Sequence, residues 1–268
     1  MQNVKKFIQE IMANRVVSHR LARFNVDNKW ANSYLGDFWD YLEPMLFIAT
    51  YFLVFGLGFY QGSVSGQPYL LWLITAIIPW FYIQGVFNRG LTSVKDQVKT
   101  LSKTRFPFSI AVIIPMIEEF RRYVVMTIGF VGILLIYGYH PSIYWLQFLY
   151  AVFAMVMMLI AMNLINSTLT ILIPDYKAAM SALFRLIFYS SGVIVNLNSD
   201  SMPYIVTAVL KLSPFNYVVN TFRDTFLYHQ WFWETPGYTL FFWGLVALMM
   251  FVGAFMHIRF RGSFTELV

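Results

Sequence analysis

From Pro44 to Asn88 the chain carries no Asp, Glu, Lys, Arg or His, and from Tyr123 to Pro174 it carries only His140. Each block is about twice the ~20 residues that a helix needs to cross ~30 Å of hydrocarbon. Each also breaks near its middle, at Gln61-Gly-Ser-Val-Ser-Gly-Gln-Pro68 and at Gly138-Tyr-His-Pro-Ser142, where Gly and Pro supply turns. The blocks read as two membrane hairpins, and the chain as an all-α polytopic membrane protein. A composition of 59% apolar and 12% charged residues lies outside the range of soluble domains, so the net charge of +6 points to topology rather than to nucleic acid. The absence of Cys removes disulfides, thiolate nucleophiles and Cys-based metal sites.

The remaining apolar stretches bring the expected spans to six: 44–60, 69–88, 123–139, 145–173, 178–197 and 235–257. An even number puts both ends on one side of the plasma membrane, and Lys and Arg, which are retained in short cytoplasmic loops, indicate which. Lys5, Lys6, Arg15, Arg20, Arg23 and Lys29 precede the first span, and Arg89, Lys95, Lys99, Lys103, Arg105, Arg121 and Arg122 lie between the second and third. Lys177 follows the fourth and Arg259 and Arg261 the sixth, leaving Lys211 and Arg223 for the other side. Both termini are expected in the cytoplasm: residues 1–43 as an N-terminal segment, 44–257 as one transmembrane domain, 258–268 as a tail. The first forty residues lack the apolar core and cleavage site of a signal peptide, so the N-terminus is expected to be retained.

Three segments go beyond a plain bundle. Val17, Leu21, Phe24, Asn28, Ala31, Leu35, Phe38 and Leu42 form one stripe at three- and four-residue spacing, with Arg20, Arg23, Asp27 and Lys29 off it. This predicts an amphipathic helix along the cytoplasmic interface, anchored by Trp30 and Trp39. The stretch 89–122 is too long and too basic for a turn. Within it, Thr92 to Thr104 reads as a surface helix with Val94, Val98 and Leu101 on one side, suited to docking a soluble partner; Lys95, Asp96, Lys99, Lys103 and Arg105 are the candidate contacts. Phe106 to Ile117 is apolar, broken by Pro107 and Pro115, and leads to Glu118-Glu-Phe-Arg-Arg122, where Glu118 and Arg122 have the i,i+4 order of a helical ion pair. Glu118 and Glu119 point about 100° apart on a helix, which argues against a site shared by the two. The outer segment 198–234 holds two apolar pieces, Met202 to Leu212 and Tyr217 to Tyr228, each about half a span long, on either side of Ser213-Pro214-Phe215-Asn216. They predict re-entrant helices in the outer leaflet, broken at Pro214 and buried among the other helices.

Searches for catalytic chemistry are negative. Gly62-Ser-Val-Ser-Gly66 has Val64 where the G-x-S-x-G elbow needs its nucleophile, and it lies in a hairpin turn. His19, His140, His229 and His257 are scattered without metal-ligand spacing and read as interface-facing polar residues. The chain lacks a G-x-x-x-x-G-K-[ST] phosphate loop, so nucleotide-driven work needs a second polypeptide. Arg185 is the one charge well inside a predicted span. Its cost of about 3 kcal/mol can be offset by roughly six flanking Leu, Ile or Phe residues. It is expected to face protein or water, as a contact for an anionic substrate or as a partner for a carboxylate or carbonyl.

Asn32-Ser-Tyr-Leu-Gly-Asp-Phe-Trp-Asp-Tyr-Leu-Glu-Pro44 resembles the S-x-L-G-x-x-W-x-x-L-x-P signature of permease subunits of ABC exporters of cell-surface polysaccharides. Leu101-Ser-Lys-Thr-Arg-Phe-Pro107 followed by Pro115, and Ser213-Pro-Phe-Asn-Tyr217 with Arg223-Asp224, resemble further stretches of that family, so the likeness covers nearly the whole chain. The run Arg223 to Phe232 is most similar to teichoic acid translocation permeases of Gram-positive bacteria. After the fourth span the chain has Pro174-Asp175-Tyr176 where relatives exporting O-antigen or capsule often have Arg-Asp.

The resemblance implies the type-2 ABC exporter fold: a homodimer of six-span subunits, each docked to a cytoplasmic ABC ATPase subunit that holds ATP and Mg. It also implies that the complex moves a lipid-linked teichoic acid to the outer leaflet, and that this chain itself has no catalytic site, cofactor, metal or nucleic-acid partner. Such a polymer is anionic and needs a sheltered polar route. Arg20, Arg23 and Lys29 would gather its head group, and Trp30, Trp39 and other aromatics would pack on sugar faces. The 92–105 helix would transmit ATPase motion, and Glu118, Arg122, Pro214 and Arg223 are the candidate structural or gating residues. Alternatives are export of O-antigen or capsular polysaccharide, a membrane transferase acting on polyprenyl-linked sugars, and an ion-gated secondary transporter. A transferase should gather carboxylates at one face, whereas Asp200, Asp224 and Glu234 are scattered in sequence. A secondary transporter should show inverted repeats, and none is visible.

Overall fold

The computed structural model describes residues 2–29, 33–59, 62–101, 108–197 and 203–264. Backbone groups that meet hydrocarbon must be bonded within their own segment, and this chain meets the demand with helices almost throughout. They are α1 (Gln2–Ala13), α2 (Arg15–Lys29), α3 (Trp39–Tyr51), α4 (Tyr69–Leu101), α5 (Ile114–Ile136), α6 (Gln147–Leu172), α7 (Tyr176–Ser190), α8 (Tyr204–Lys211), α9 (Pro214–Arg223) and α10 (Pro236–Phe260). A 3-10 turn (Gly36–Phe38) leads into α3, and wider π turns (Phe52–Phe59) continue it. Among the described residues β-strand pairing is confined to a small hairpin, β1 (Ser63–Val64) against β2 (Gln67–Pro68), at the turn between the first two spans.

Among the described residues four helical stretches are long and apolar enough to cross a membrane: Gly36–Phe59, Tyr69–Val98, Ile143–Leu172 and Pro236–Phe260. α5 has 23 residues, about 35 Å, but its first turns carry Glu118, Glu119, Arg121 and Arg122. α7 has 15 residues, about 22 Å, and stops at Ser190, short of the predicted 178–197. The chain turns there through Gly192, at φ +80°, where a Cβ would come within 2.8 Å of the Asn216 amide nitrogen. Only Gly fits that turn against α9.

α4 is buried nearly all round and forms the axis of the molecule. Its Trp80 and Phe87 stack on Phe184 of α7 at 5.1 and 3.9 Å between ring centroids, and Phe215 of α9 meets Phe184 edge-on at 5.6 Å. Offset and edge-to-face aromatic contacts of this kind add about 0.5–1.5 kcal/mol each beyond area burial. α6 packs against α4 and α10; at Gly253 a Cβ would lie 2.7 Å from the Leu164 Cβ, so the close approach of α10 to α6 depends on that Gly. A second apolar cluster closes one end: Phe7 of α1, Val94 and Val98 of α4, Ala111, Val112, Leu164, Ile171, Ala254 and Phe264. There Arg261 bonds Glu10 at 2.7 Å, so both ends of the described chain meet at one end of the bundle. The hairpin, the α5–α6 connection and the α8–α9 region gather at the opposite end, where Gln67 donates to the Leu227 carbonyl and Tyr139 to Gln67.

Several expectations change. The stripe from Val17 to Leu42 is not one helix. α2 ends at Lys29, Leu35 precedes the first span, and Phe38 and Leu42 belong to that span, which begins at Gly36 rather than at Pro44. On α2 the small residues Ser18 and Ala22 are the buried ones, and Val17 and Phe24 stay exposed, so the apolar stripe faces outward while the polar side packs on α5. The 92–104 helix is not separate: α4 runs unbroken to Leu101, because Asn88, Arg89 and Gly90 interrupt its hydrophobicity without breaking its backbone. Val94 and Val98 are spent on the chain's own α1 and 108–112 turn, not on a partner. The outer pieces form two helices broken before Pro214, as expected, but only α9 is buried. α8 leaves Ile205, Val206 and Val209 exposed. Among the histidines, His257 is fully buried between Phe7 and Phe264 instead of facing an interface.

Candidate functional site

Arg89 leaves α4 where the charge-free block ends, and Glu118 and Glu119 leave the start of α5, whose backbone begins at Ile114 with Pro115 in its first turn. Arg89 Nη1 donates to Glu118 Oε2 at 2.5 Å, and its Nε lies 3.0 Å from Glu119 Oε1. Arg122 Nη2 serves the other Glu119 oxygen at 2.7 Å and donates to the Phe81 carbonyl at 3.1 Å. From α2, Asn25 Nδ2 donates to Glu118 Oε1 at 2.6 Å. Both carboxylates are buried, 9% and 4% exposed, yet each oxygen has a donor. A guanidinium presents donors across a plane, so one Arg between two neighbouring carboxylates serves both.

Two expectations are thereby overturned. Glu118 pairs with Arg89 and Asn25, not with Arg122, whose partner is Glu119 at i,i+3. Glu118 and Glu119 do share a site, because the third group comes from another helix and approaches between them. Room for it exists at Gly85, where a Cβ would lie 2.6 Å from the Glu119 carboxyl carbon and 2.9 Å from Arg122 Nη2. Sequence reasoning passed over Arg89 and Gly85. A basic residue at the end of a charge-free span, followed by an acidic pair opening the next, was the available signal.

The network is a wall between two polar cavities. One, of about 370 Å³, is lined by Asn25, Asn28, Lys29, Asp96 and Ser93 on the α2 side; the other, of about 220 Å³, by Glu43, Phe47, Gln84 and Asn88 on the α3 side. Arg89 and Lys29 line both. Lys29 is bonded to the buried Asp40, and Arg121 pairs with Asp37 at 2.7 Å, which ties the start of the first span to α2 and α5. A charged hydrogen-bonded seam joining three elements can bind polar groups in either cavity, or shift registration between α4 and α5, without exposing an unpaired charge to lipid. At the same end, burial pushes the Glu10 carboxyl upward. Hydrogen bonds from Ser109 and Arg261 and the charges of Arg261 and Lys6 outweigh this, leaving it below the usual carboxylate range.

The other predicted residues are dispersed. Arg20 is exposed, and Arg23 makes a 3.8 Å contact with the equally exposed Asp27, so neither joins Lys29 at the cavities. Trp39 lies on a groove with Glu43, Phe47 and Tyr51. Arg185 is exposed on α7, its Nε 3.4 Å from the Ser181 carbonyl. Lys95 is half-buried and Asp96 exposed on the α4 extension. Trp30, Lys103, Arg105 and the Lys99 side chain lie outside the described residues. At the far end Pro214 opens α9, and Arg223 closes it in a structural role. The Arg223 guanidinium lies 3.4 Å over the Trp72 ring and donates to the Gly192 and Val193 carbonyls at 2.7 and 2.9 Å. Those carbonyls lie in the turn that follows α7.

Residues 19–227, a stretch from α2 through the Arg89 network to the end of α9, match the model of the ABC-2 type transporter family. The chain belongs to that family. This transporter is similar over most of its length to O-antigen export system permease proteins named RfbA. One from Klebsiella pneumoniae is 24% identical over 87% of this chain and 88% of the relative. Another from that organism is 24% identical over 74% and 75%, and one from Myxococcus xanthus is 20% identical over 84% and 85%. The matched region includes the transporter's charged seam and its Arg223 cap.

Proposed function

We propose that this transporter is the membrane subunit of an ATP-driven exporter of a lipid-linked cell-surface glycopolymer. The observation that carries the reading is the family match together with the end-to-end likeness to O-antigen export permeases. Two copies, each with six spans and cytoplasmic termini, form a shielded route, with α5 and α7 completing the four strongly apolar spans and α8 and α9 re-entrant in the outer leaflet. ATP and Mg bind a separate cytoplasmic subunit that docks beneath α1, α2 and the α4 extension, and its motion reaches the spans through the Arg89 seam. Polar head groups of the cargo enter by the Lys29-lined cavities.

Within this class the cargo is an anionic teichoic acid of a Gram-positive cell, a reading supported by the likeness of Arg223 to Phe232. A second reading, export of a neutral or mixed O-antigen, is favoured by the relatives themselves. Reconstitution of the chain with its ATPase in lipid vesicles separates them. Hydrolysis stimulated by a lipid-linked glycerol-phosphate polymer and not by a neutral lipid-linked glycan supports the first; the reverse supports the second. An active complex insensitive to every lipid-linked glycan rules out both.

A further inference from the structure

At the end opposite the charged seam, a cavity of about 380 Å³ lies between the α7 turn, α8, α9 and the 228–238 loop. Its size falls within the ~300–1,000 Å³ of small-molecule sites. Its frame is fixed. Arg223 is held by carbonyls of the α7 turn and by Trp72, and Asn216 donates to the Ser191 carbonyl at 2.9 Å while accepting from Asn220 and Tyr238, both at 2.9 Å. With these groups engaged, two charged side chains on the lining remain. Asp224 and Lys211 make no side-chain hydrogen bond or ion pair with any described residue. Asn220, Gln230 and Tyr238 stand around them.

We infer that this outer cavity binds a hydroxyl-rich unit, a sugar ring or a short polyol, of the exported polymer. This deepens the export reading and rests on it. Vicinal hydroxyls donate to a carboxylate and accept from an ammonium or amide, which is the pairing that Asp224, Lys211 and Asn220 offer. Arg223 lines the cavity too, but its guanidinium is spent on the Gly192 and Val193 carbonyls and the Trp72 ring, so the groups left to a ligand are one acceptor, Asp224, and the donors of Lys211 and Asn220, a set that suits hydroxyls better than an acyl chain. Placed at the far end of the bundle, such a site holds the polymer as it leaves.

The decisive experiment is saturation-transfer NMR on the full chain in detergent, titrated with N-acetylglucosamine, galactose and glycerol, and with inorganic phosphate as the anion control. A saturable signal from a sugar or from glycerol is expected, weakened about tenfold by Asp224→Asn and by Asn220→Leu, a loss of ~1.4 kcal/mol and of the order of one charged hydrogen bond. Lys211→Gln, on the exposed-side helix α8, serves where the buried-side variants lower the melting temperature. Absence of a saturable signal for all three hydroxylic probes, binding unchanged in the variants, or saturation by phosphate alone overturns the assignment. Because the measurement needs no ATPase, loss of sugar binding with export intact defeats this site, whereas binding intact without export defeats the export reading.

Discussion

Replacing Arg89 by Met removes the donor shared by Glu118 and Glu119 and leaves two neighbouring buried carboxylates with only Asn25 and Arg122 to serve them. Breaking a buried ion pair from one side costs about 3–5 kcal/mol, whereas removing both charges together is far cheaper. A clear fall in melting temperature in detergent is therefore expected for Arg89→Met. Glu118→Gln with Glu119→Gln in that background should recover part of it; no recovery would mean that the carboxylates are not the reason for the loss. Gly85→Leu pushes a side chain into the same seam and is expected to cost about 1–3 kcal/mol by overpacking. Glu10 supplies the pH dependence. Its folded-state pKa is depressed, so its stabilisation is present above the ordinary carboxylate range and disappears as pH falls through the folded-state value. The difference in melting temperature between the parent and Glu10→Gln should accordingly shrink on acidification. A gap that widens instead contradicts the Ser109 and Arg261 contacts.

At the scale of elements, the α4 extension separates packing from docking. Val94 and Val98 face the α1 cluster while Asp96 lines the cavity on the α2 side and Lys95 is half-buried, side chains within one helix turn and a half with different duties. Val94→Asp should therefore lower stability outright, by burying an unpaired charge. Lys95→Glu should leave the melting temperature unchanged and reduce ATPase co-purification. If the charge reversal leaves co-purification untouched, the extension is not the dock. At the other end the turn that follows α7 is tied to α9, since Asn216 donates to the Ser191 carbonyl and Arg223 to the Gly192 and Val193 carbonyls. Arg223→Lys cannot reproduce a fork that spans two carbonyls and a ring, and each lost charged hydrogen bond is worth about 1.5–3 kcal/mol. Melting of the Arg223→Lys protein at the parent temperature would show that this cap is dispensable.

For the whole molecule, α1 and Phe264 share one cluster while Ser65 and Asn196 meet at the other end, so the bundle has two chemically distinct faces. A chain with no Cys lets each face be labelled singly. Ala13→Cys, on the exposed side of α1, should react with an impermeant maleimide only after the membrane is opened, and Ser65→Cys should react in intact cells. The opposite pattern would invert the molecule and, with it, the proposed direction of export. The first span is covered over few of its residues, leaving Met45, Leu53 and Leu57 to meet lipid or a second subunit.

Four of the six expected spans, 44–60, 69–88, 145–173 and 235–257, coincide with the strongly apolar helices and were readable because partitioning into hydrocarbon adds up residue by residue along each segment. The helix–break–helix at Pro214 was readable for the same local reason, a ring that cannot continue a helix. What could not be read was which helix rotates toward which. Arg89 lies 29 positions before Glu118, and whether it lands between two carboxylates depends on the relative rotation of α4 and α5, fixed by Gly85, by Tyr82 against the Met116 carbonyl and by α2 on the outside. Likewise the turn that follows α7 is held by Asn216 and Arg223 of α9, 26 and 33 residues beyond Ser190, a pairing that no local pattern announces. Hydropathy is a property of each stretch alone; pairing is a property of two surfaces, and it exists only once the chain has brought them together.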